Sequence, residues 1–343
     1  MKAAVLHGAG DVRVEEVELP SLKSGEVRVQ IEAALTCGTD LKVFKRGYHA
    51  KMIRPPAVFG HEFAGVITEV GEGVVDWRAG DRVVAANSAP CGECSLCLHE
   101  QESLCDDLLF LNGAYAEAIN IPARIVEKNL LRLKPETGFA DAALTEPLAC
   151  VVQGVAESRL WPGDRLLVIG AGPIGLMFVA LAQHLGCHIT MAGRNPARLA
   201  AAKKLGAHHV VEIADGTELV KAVKASPSIG HGFDVVVEAT GRPEVWEASV
   251  ELVRKGGLVN FFGGCPSGTS VTLDTGLLHY SSITLKASFH HTPHSVAKAL
   301  EFIERGVVRA GDFVGAEARL VDLPGVFASM VEDNRVVKTL IRA

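Results

Sequence analysis

The stretch Leu166-Leu167-Val168-Ile169-Gly170-Ala171-Gly172-Pro173-Ile174-Gly175 decides the fold. An aliphatic strand runs straight into a G-x-G-x-x-G turn, and Met177, Val179, Ala180 and Leu181 continue as a helix. In that context Gly170 permits the tight turn, Gly172 lets the backbone approach a pyrophosphate, and Gly175 allows close helix–strand packing. The helix start, where Pro173 presets the first turn and Ile174 follows, offers free N–H groups to the phosphates from the residues after the proline. Outward from this turn the pattern repeats strand then helix. Further strands are predicted at 188–192, 209–213, 234–239, 258–262 and 283–287, and a helix at 196–205 lies between Asn195 as cap and Gly206 as stop. Six strands with intervening helices predict an α/β fold, a doubly wound parallel six-stranded Rossmann domain.

The cofactor can be read more finely. An NAD site places an acid roughly 20 residues after the glycines to hold the ribose 2′-hydroxyl. No Asp or Glu occurs between Arg165 and Val211, and Gly193-Arg194-Asn195 stands at the expected place, with Arg198 one turn later. A guanidinium binds a 2′-phosphate that an acid would repel. NADP is therefore expected, with Gly193, Arg194 and Arg198 at the phosphate and Thr240 as a further contact at the end of the fourth strand.

Before this domain the texture differs. Short β-type runs at 27–31, 63–70, 82–86 and 116–121 are separated by Gly and Pro, which predicts an antiparallel, partly barrel-like domain. After residue 290 a helix at 295–305 and then short strands are expected, returning to the first domain. The expected division is 1–150 with 290–343 as the catalytic domain and 151–289 as the NADP-binding domain. A length of 343 residues suits about two domains at roughly 150 residues each.

Composition excludes several classes. With 34 basic and 40 acidic residues the net charge is −6, which gives no attraction to nucleic acid or an anionic membrane. The apolar run 166–182 is broken by Gly and Pro and is short for a membrane helix. The N-terminus lacks the apolar core and cleavage site of a signal peptide, so a cytoplasmic location is expected, where clustered cysteines bind metal more often than they form disulfides.

Of the eight cysteines, Cys91-x2-Cys94-x2-Cys97-x7-Cys105 form one loop. Four thiolates at this spacing suit a closed tetrahedral structural zinc. A second set is scattered: Cys37 in Thr36-Cys37-Gly38-Thr39-Asp40, His61-Glu62 after Gly60, and Glu146 in Thr145-Glu146-Pro147. A thiol, an imidazole and carboxylates are the ligand types of a catalytic zinc with an exchangeable position. Each residue alone has an ordinary alternative, as a packed thiol, a core histidine or a helix-start charge. Cys150, Cys187 and Cys265 read as packing residues, and His208, His209 and His294 as structural or exposed.

These motifs, with Gly80-Asp81-Arg82-Val83 and Gly113-Ala114-Tyr115-Ala116-Glu117, cover nearly the whole chain. In that order they resemble the zinc-dependent medium-chain dehydrogenases, most closely the polyol (sorbitol) and threonine dehydrogenase branch. The resemblance implies a GroES-like catalytic domain and a catalytic zinc held by Cys37, His61 and Glu62. Glu146 would either ligate directly or hold the zinc-bound water, and the Thr39 hydroxyl would pass the substrate proton outward. Two zinc ions per chain are expected. Lys42 stands where relatives often have a histidine ending that relay. Phe289-His290 falls where polyol enzymes place a Phe and an Arg beside the substrate, and Tyr48, Phe110 and His49 are weaker pocket candidates that read equally as packing residues.

The expected reaction is hydride transfer between a secondary alcohol, a polyol or sugar alcohol, and NADP. The alternatives are a threonine 3-dehydrogenase-like amino-acid dehydrogenase and a non-enzymatic dinucleotide-binding regulator. The expected partner is a small-molecule alcohol, in a homo-oligomer (tetramer or dimer).

Overall fold

A computed structural model describes residues 1–49, 52–213, 219–226, 230–332 and 336–343. It divides the chain into two compact units, Met1–Ala149 with His291–Ala343, and Cys150–His290.

The second unit is built on a parallel sheet of six strands: β1 Arg165–Ile169, β2 His188–Gly193, β3 His209–Glu212, β4 Phe233–Glu238, β5 Val253–Phe261 and β6 Thr284–Ala287. Their spatial order is β3-β2-β1-β4-β5-β6, the doubly wound order in which the chain reverses direction beside β1. Leu166, Leu167 and Val168 of β1 are wholly buried, as expected for a strand covered by helices on both faces. The helix Pro173–Leu185 starts with Pro in its first turn and ends on Gly186 in the left-handed conformation. Gly170 has φ +112°, and a Cβ on Gly175 would lie 2.0 Å from the Gly170 carbonyl oxygen. The fingerprint glycines are thus required by sterics within the chain itself.

β5 begins earlier than the sequence pattern suggests, at Val253. Lys255-Gly256-Gly257, outside the expected strand 258–262, is carried inside β5, with Gly256 at φ +70° and a register shift against β4 between Phe233 and Val235.

The first unit centres on a seven-stranded sheet in which Val27–Leu35 pairs with Phe63–Val70, Ala118–Ile121 and the C-terminal strand Lys338–Arg342. A smaller sheet joins Asp11–Glu16, Lys2–Gly8 and Ala57–Val58. The core includes an aromatic cluster in which Phe59 and Phe327 lie 5.3 Å apart and Phe44 stacks on Phe327 at 5.4 Å. Phe327 belongs to a helix, Leu323–Glu332, where the sequence pattern predicts short strands. Pro324-Gly325 reads as a turn, yet a proline in the first helical turn removes no hydrogen bond, and burial of Leu323 and Phe327 rewards the helix.

Gly175→Ala should destabilise the second unit by about 2–4 kcal/mol, because no side-chain rotation relieves a Cβ against a carbonyl. Urea unfolding followed by tryptophan fluorescence checks this, and a midpoint equal to wild type would refute it.

Candidate active site

In the first unit, strand pairing brings distant motifs together. Leu35 N–H donates to the Glu62 carbonyl at 3.0 Å, so the segment leading to Cys37 lies beside His61-Glu62. The chain then turns into the helix Gly38–Arg46, with Cys37 as its N-cap; the thiol accepts from Thr39 N–H at 3.4 Å. Ligand atoms of Cys37, His61 and Glu62 all lie within 4.8 Å of one another. Gly60, just before them, has φ +91°, and a Cβ there would strike the Tyr115 ring at 2.6 Å.

The partners of each ligand type are specific. His61 Nδ1 is 2.9 Å from Asp40 Oδ1, and an ionised carboxylate only accepts, so Nδ1 carries the proton and Nε2 is left as the donor atom for a metal. Asp40 is buried in turn under Tyr115, whose hydroxyl donates to Oδ2 at 2.6 Å. Glu62 is wholly buried and receives Lys338 Nζ at 2.8 Å on Oε1; the same ammonium donates to the Thr36 carbonyl at 3.0 Å. Lys338 comes from 276 residues away, and the pairing of Thr36 with Thr339 holds it there.

Burial pushes the Cys37 thiol up, and the Glu62 charge adds to the effect. Burial would lower His61, but Asp40 and Cys37 outweigh it and hold the imidazole well above its usual range. Burial would also lower Lys338, yet the Glu62 charge keeps it above the ordinary lysine value. Glu146, in the first turn of the helix Thr145–Glu157, is buried and pushed up to about 7, chiefly by burial. With His61 neutral and Nε2 open, the acidic groups Cys37, Asp40, Glu62 and Glu146 are faced by the single cation Lys338. Such a donor set fits a divalent cation, and sulfur with imidazole favours zinc over magnesium or calcium.

The loop cysteines form a second cluster. Cys94 and Cys97 sulfurs are 3.5 Å apart, as are Cys91 and Cys105, while Cys91–Cys97 and Cys94–Cys105 are 3.9 Å apart. Disulfide sulfurs would approach to about 2.0 Å. A zinc tetrahedron with Zn–S bonds of about 2.3 Å has sulfur–sulfur edges of about 3.8 Å, which these distances match. Backbone N–H groups of Glu93 and Cys94 point at the Cys91 sulfur, and N–H groups of Asp106 and Cys97 lower Cys94 to about 6. Donors of this kind favour thiolates.

In the second unit, Gly193 ends β2 level with Ile213 and Glu212 of β3, and Gly170 N–H donates to the Ala192 carbonyl at 2.8 Å. The glycine turn and Gly193-Arg194 thus occupy one end of the sheet. Arg194 is exposed, and Arg198 is half-buried at the start of the helix Pro196–Lys204, where Asn195 accepts both Ala197 and Arg198 N–H groups. The Thr240 side chain adjoins Gly170 and donates to the buried Glu238 carboxylate. Among the described residues nothing lies within 4 Å of a Cβ placed on Gly172, which leaves room for a pyrophosphate against the backbone.

The remaining candidates are placed as follows. Tyr48 is 58% exposed in the first unit and Phe289 is 49% exposed in the second. His290, 5.5 Å from Phe289 between ring centres, has φ +64°, an uncommon conformation for a residue with a side chain. Lys42 is exposed on the helix behind Thr39.

Comparison with known proteins follows the same division. Residues 23–131 match the alcohol dehydrogenase GroES-like domain, and 173–305 match the zinc-binding dehydrogenase domain. The chain is 31% identical over 318 residues to a sorbitol dehydrogenase of Bacillus subtilis, covering 90% of this chain and 87% of the relative. It is 36% identical over 264 residues to an L-threonine 3-dehydrogenase of Bacillus velezensis, covering 75% and 74%. A solved zinc-binding dehydrogenase from Sinorhizobium meliloti, bound to NADP, superposes with a TM-score of 0.91 at 27% identity, covering 100% of this chain and 99% of that one. The chain belongs to the zinc-dependent medium-chain dehydrogenases. Within them it falls in the polyol and threonine dehydrogenase branch.

In this dehydrogenase, several residues of the site carry no sequence signal of their role. Asp40 and Tyr115 sit inside quoted motifs, but nothing in the motifs says that they touch each other. His291 is buried 3.0 Å from Asn87 Oδ1 and 4.0 Å from Glu146. Lys338 lies in an apolar tail strand and reads as a solvent-facing charge.

Lys338→Met should cost about 3–5 kcal/mol, since it strands a buried carboxylate, whereas Glu62→Gln with Lys338→Met should recover most of the loss. Urea unfolding of the zinc-loaded proteins tests this as a double-mutant cycle. A single variant within about 1 kcal/mol of wild type would contradict the buried-pair reading.

Proposed function

We propose that the chain is an NADP-dependent dehydrogenase that oxidises a secondary alcohol of a polyol or sugar alcohol, with one catalytic and one structural zinc per chain. The observation that carries this reading is the Cys37–His61–Glu62 cluster, with a half-buried thiol beside a buried imidazole and carboxylate and with His61 oriented by Asp40. The first unit is the catalytic domain and the second the dinucleotide domain.

Cys37 and His61 would hold the catalytic zinc, with Glu62 or Glu146 completing the set, and Cys91, Cys94, Cys97 and Cys105 would hold the structural one. Bound at the first site, zinc supplies Lewis acidity toward a hydroxyl oxygen. NADP supplies the hydride acceptor. The chain's residues do the rest. Asp40 fixes the ring and tautomer of His61, and Tyr115 fixes Asp40. Lys338 neutralises Glu62, which weakens Glu62 as a ligand relative to Cys37 and His61. Thr39 passes the hydroxyl proton outward. Phe289 and His290 of the second unit are substrate candidates, with the imidazole donating to or accepting from a polyol hydroxyl, and Tyr48 is a separate candidate on the first unit.

Arg194, exposed beside Gly193, with Arg198 behind it, supports NADP over NAD, as does the NADP bound by the Sinorhizobium relative. At this end of the sheet carboxylates come from Glu212 of β3 and Glu238 of β4, and not from the end of β2. The polyol class is supported by sorbitol dehydrogenase relatives from Bacillus subtilis and Bombyx mori and by a D-arabitol-phosphate dehydrogenase from Enterococcus avium. A threonine substrate is the second reading, favoured by the threonine dehydrogenase relatives. The exposed edge strand β6, with Leu285 on it, supports a homo-oligomer. Among the described residues no helix is long and apolar enough to cross a membrane.

A coupled screen of polyols, inositols and amino acids with NADP+ and NAD+ tests the assignment. Turnover of polyols with NADP+ is expected; oxidation of threonine alone would replace the substrate class. Cys37→Ser should lower kcat/KM by at least about 1,000-fold and leave about one zinc per chain by elemental analysis. Arg194→Gly should raise KM for NADP+ by about 10–100-fold with little change for NAD+, the loss of one or two charge-assisted hydrogen bonds. An unchanged cofactor preference would sink the NADP assignment.

A further inference from the structure

A cavity of about 410 Å³ opens at the N-terminal ends of the strands in the second unit, the end opposite the glycine turn. Arg165 begins β1, His188 begins β2 with Thr190 two residues on, and His209 begins β3; all line this cavity, with His208 beside them. The strand register makes the grouping a consequence of the sheet: Arg165 is level with His188, and Thr190 with His209. The buried Phe233 ring, at the start of β4, closes the apolar side, with the Arg165 guanidinium carbon 5.7 Å from its centre.

The polar lining is all cationic, imidazole or hydroxyl. No carboxylate lines the cavity among the described residues. Of the acids nearest in sequence, Asp164 accepts Trp161 N–H at 2.8 Å, and Asp234, outside the cavity lining, accepts Arg165 N–H at 2.7 Å, pairs with Arg254 and also feels the Arg165 charge. One imidazole is preset as a donor. Ile189 N–H donates to His208 Nδ1 at 3.1 Å, so the proton of the neutral ring sits on Nε2. The His188 ring lies edge-on to it, 5.2 Å between centres. A divalent metal is disfavoured, because a guanidinium shares the lining and these histidines are not among the clusters whose ligand atoms converge.

We propose that this cavity binds a phosphate group, free or carried by a small phosphorylated metabolite, through Arg165, His188, His208 and His209. A guanidinium and imidazole N–H groups around a cavity without carboxylates match the charge and acceptor-only surface of a phosphate. The volume exceeds that of one phosphate and leaves room for an attached small molecule. The site is separate from the dinucleotide turn. β1 spans five residues from Arg165 to Ile169, about 13 Å at strand rise, between the two.

Calorimetric titration of the zinc-loaded protein with inorganic phosphate and with ribose 5-phosphate, ribose serving as control, tests the site. Arg194→Ala is titrated in parallel to remove phosphate binding at the expected 2′-phosphate position, and each titration is repeated with saturating NADP+ to occupy the glycine turn. One saturable site per chain is expected in wild type and in Arg194→Ala. Binding should weaken at least about tenfold in Arg165→Met and in the His188→Ala, His209→Ala double variant. The two histidines are exposed, so the double variant keeps the test intact if Arg165→Met fails to fold. Tighter binding of ribose 5-phosphate than of phosphate supports a phosphorylated metabolite; equal binding supports free phosphate. Absence of saturable binding up to about 10 mM, an affinity weaker than about 3 kcal/mol, overturns the proposal. So does binding abolished by Arg194→Ala and untouched by the other variants.

Discussion

A carboxylate removed from water needs a compensating charge, and Glu62 obtains its own from the far end of the chain. Lys338 reaches it because the C-terminal strand pairs with the edge of Val27–Leu35, fixed by the reciprocal bonds of Thr36 and Thr339. That pairing also sets where Cys37 leaves the sheet, since Leu35 is simultaneously bonded to the Glu62 backbone. One region of strand pairing therefore positions the thiol, the carboxylate and the ammonium together. A buried pair of this kind adds little net stability over an apolar replacement, but breaking it from one side is severe. Its value here is that it fixes geometry.

The rest of the centre follows the same logic of oriented partners. His61 presents Nε2 because Asp40 occupies Nδ1, and Asp40 stays in place because Tyr115 donates to it from within the aromatic core around Phe59 and Phe327. Packing in the core is thereby connected to the orientation of a candidate metal ligand through two short hydrogen bonds. The loop cysteines show the opposite design. Their partners are local backbone N–H groups and one another, so the loop carries its own organisation and borrows little from the sheet.

Much of this was legible from residues close together in sequence. The glycine fingerprint reads correctly because the turn, the helix start and the strand before it are one contiguous unit with fixed sterics. The four-cysteine spacing reads for the same reason. Alternating texture separates a parallel sheet from an antiparallel one. The reading weakens where one residue has two conformations available. Pro324-Gly325 suits a turn or a helix start, and only the packing of Phe327 against Phe44 and Phe59 selects the helix. Gly256-Gly257 suits a turn or a bulged strand, and the pairing of β5 with β4 selects the strand.

The sequence by itself determined the ligand types, the glycine turn, the absence of an acid at the end of β2, and the family that carries those motifs. These are local properties, written in spacing and composition. The tertiary structure alone decided that Lys338 serves Glu62, that Asp40 and Tyr115 serve His61, and that Arg165 and three histidines meet at the N-terminal end of the parallel sheet. Those pairings join residues from different strands and loops. Their physical cause is strand register, which a one-dimensional pattern constrains only after the sheet order is known.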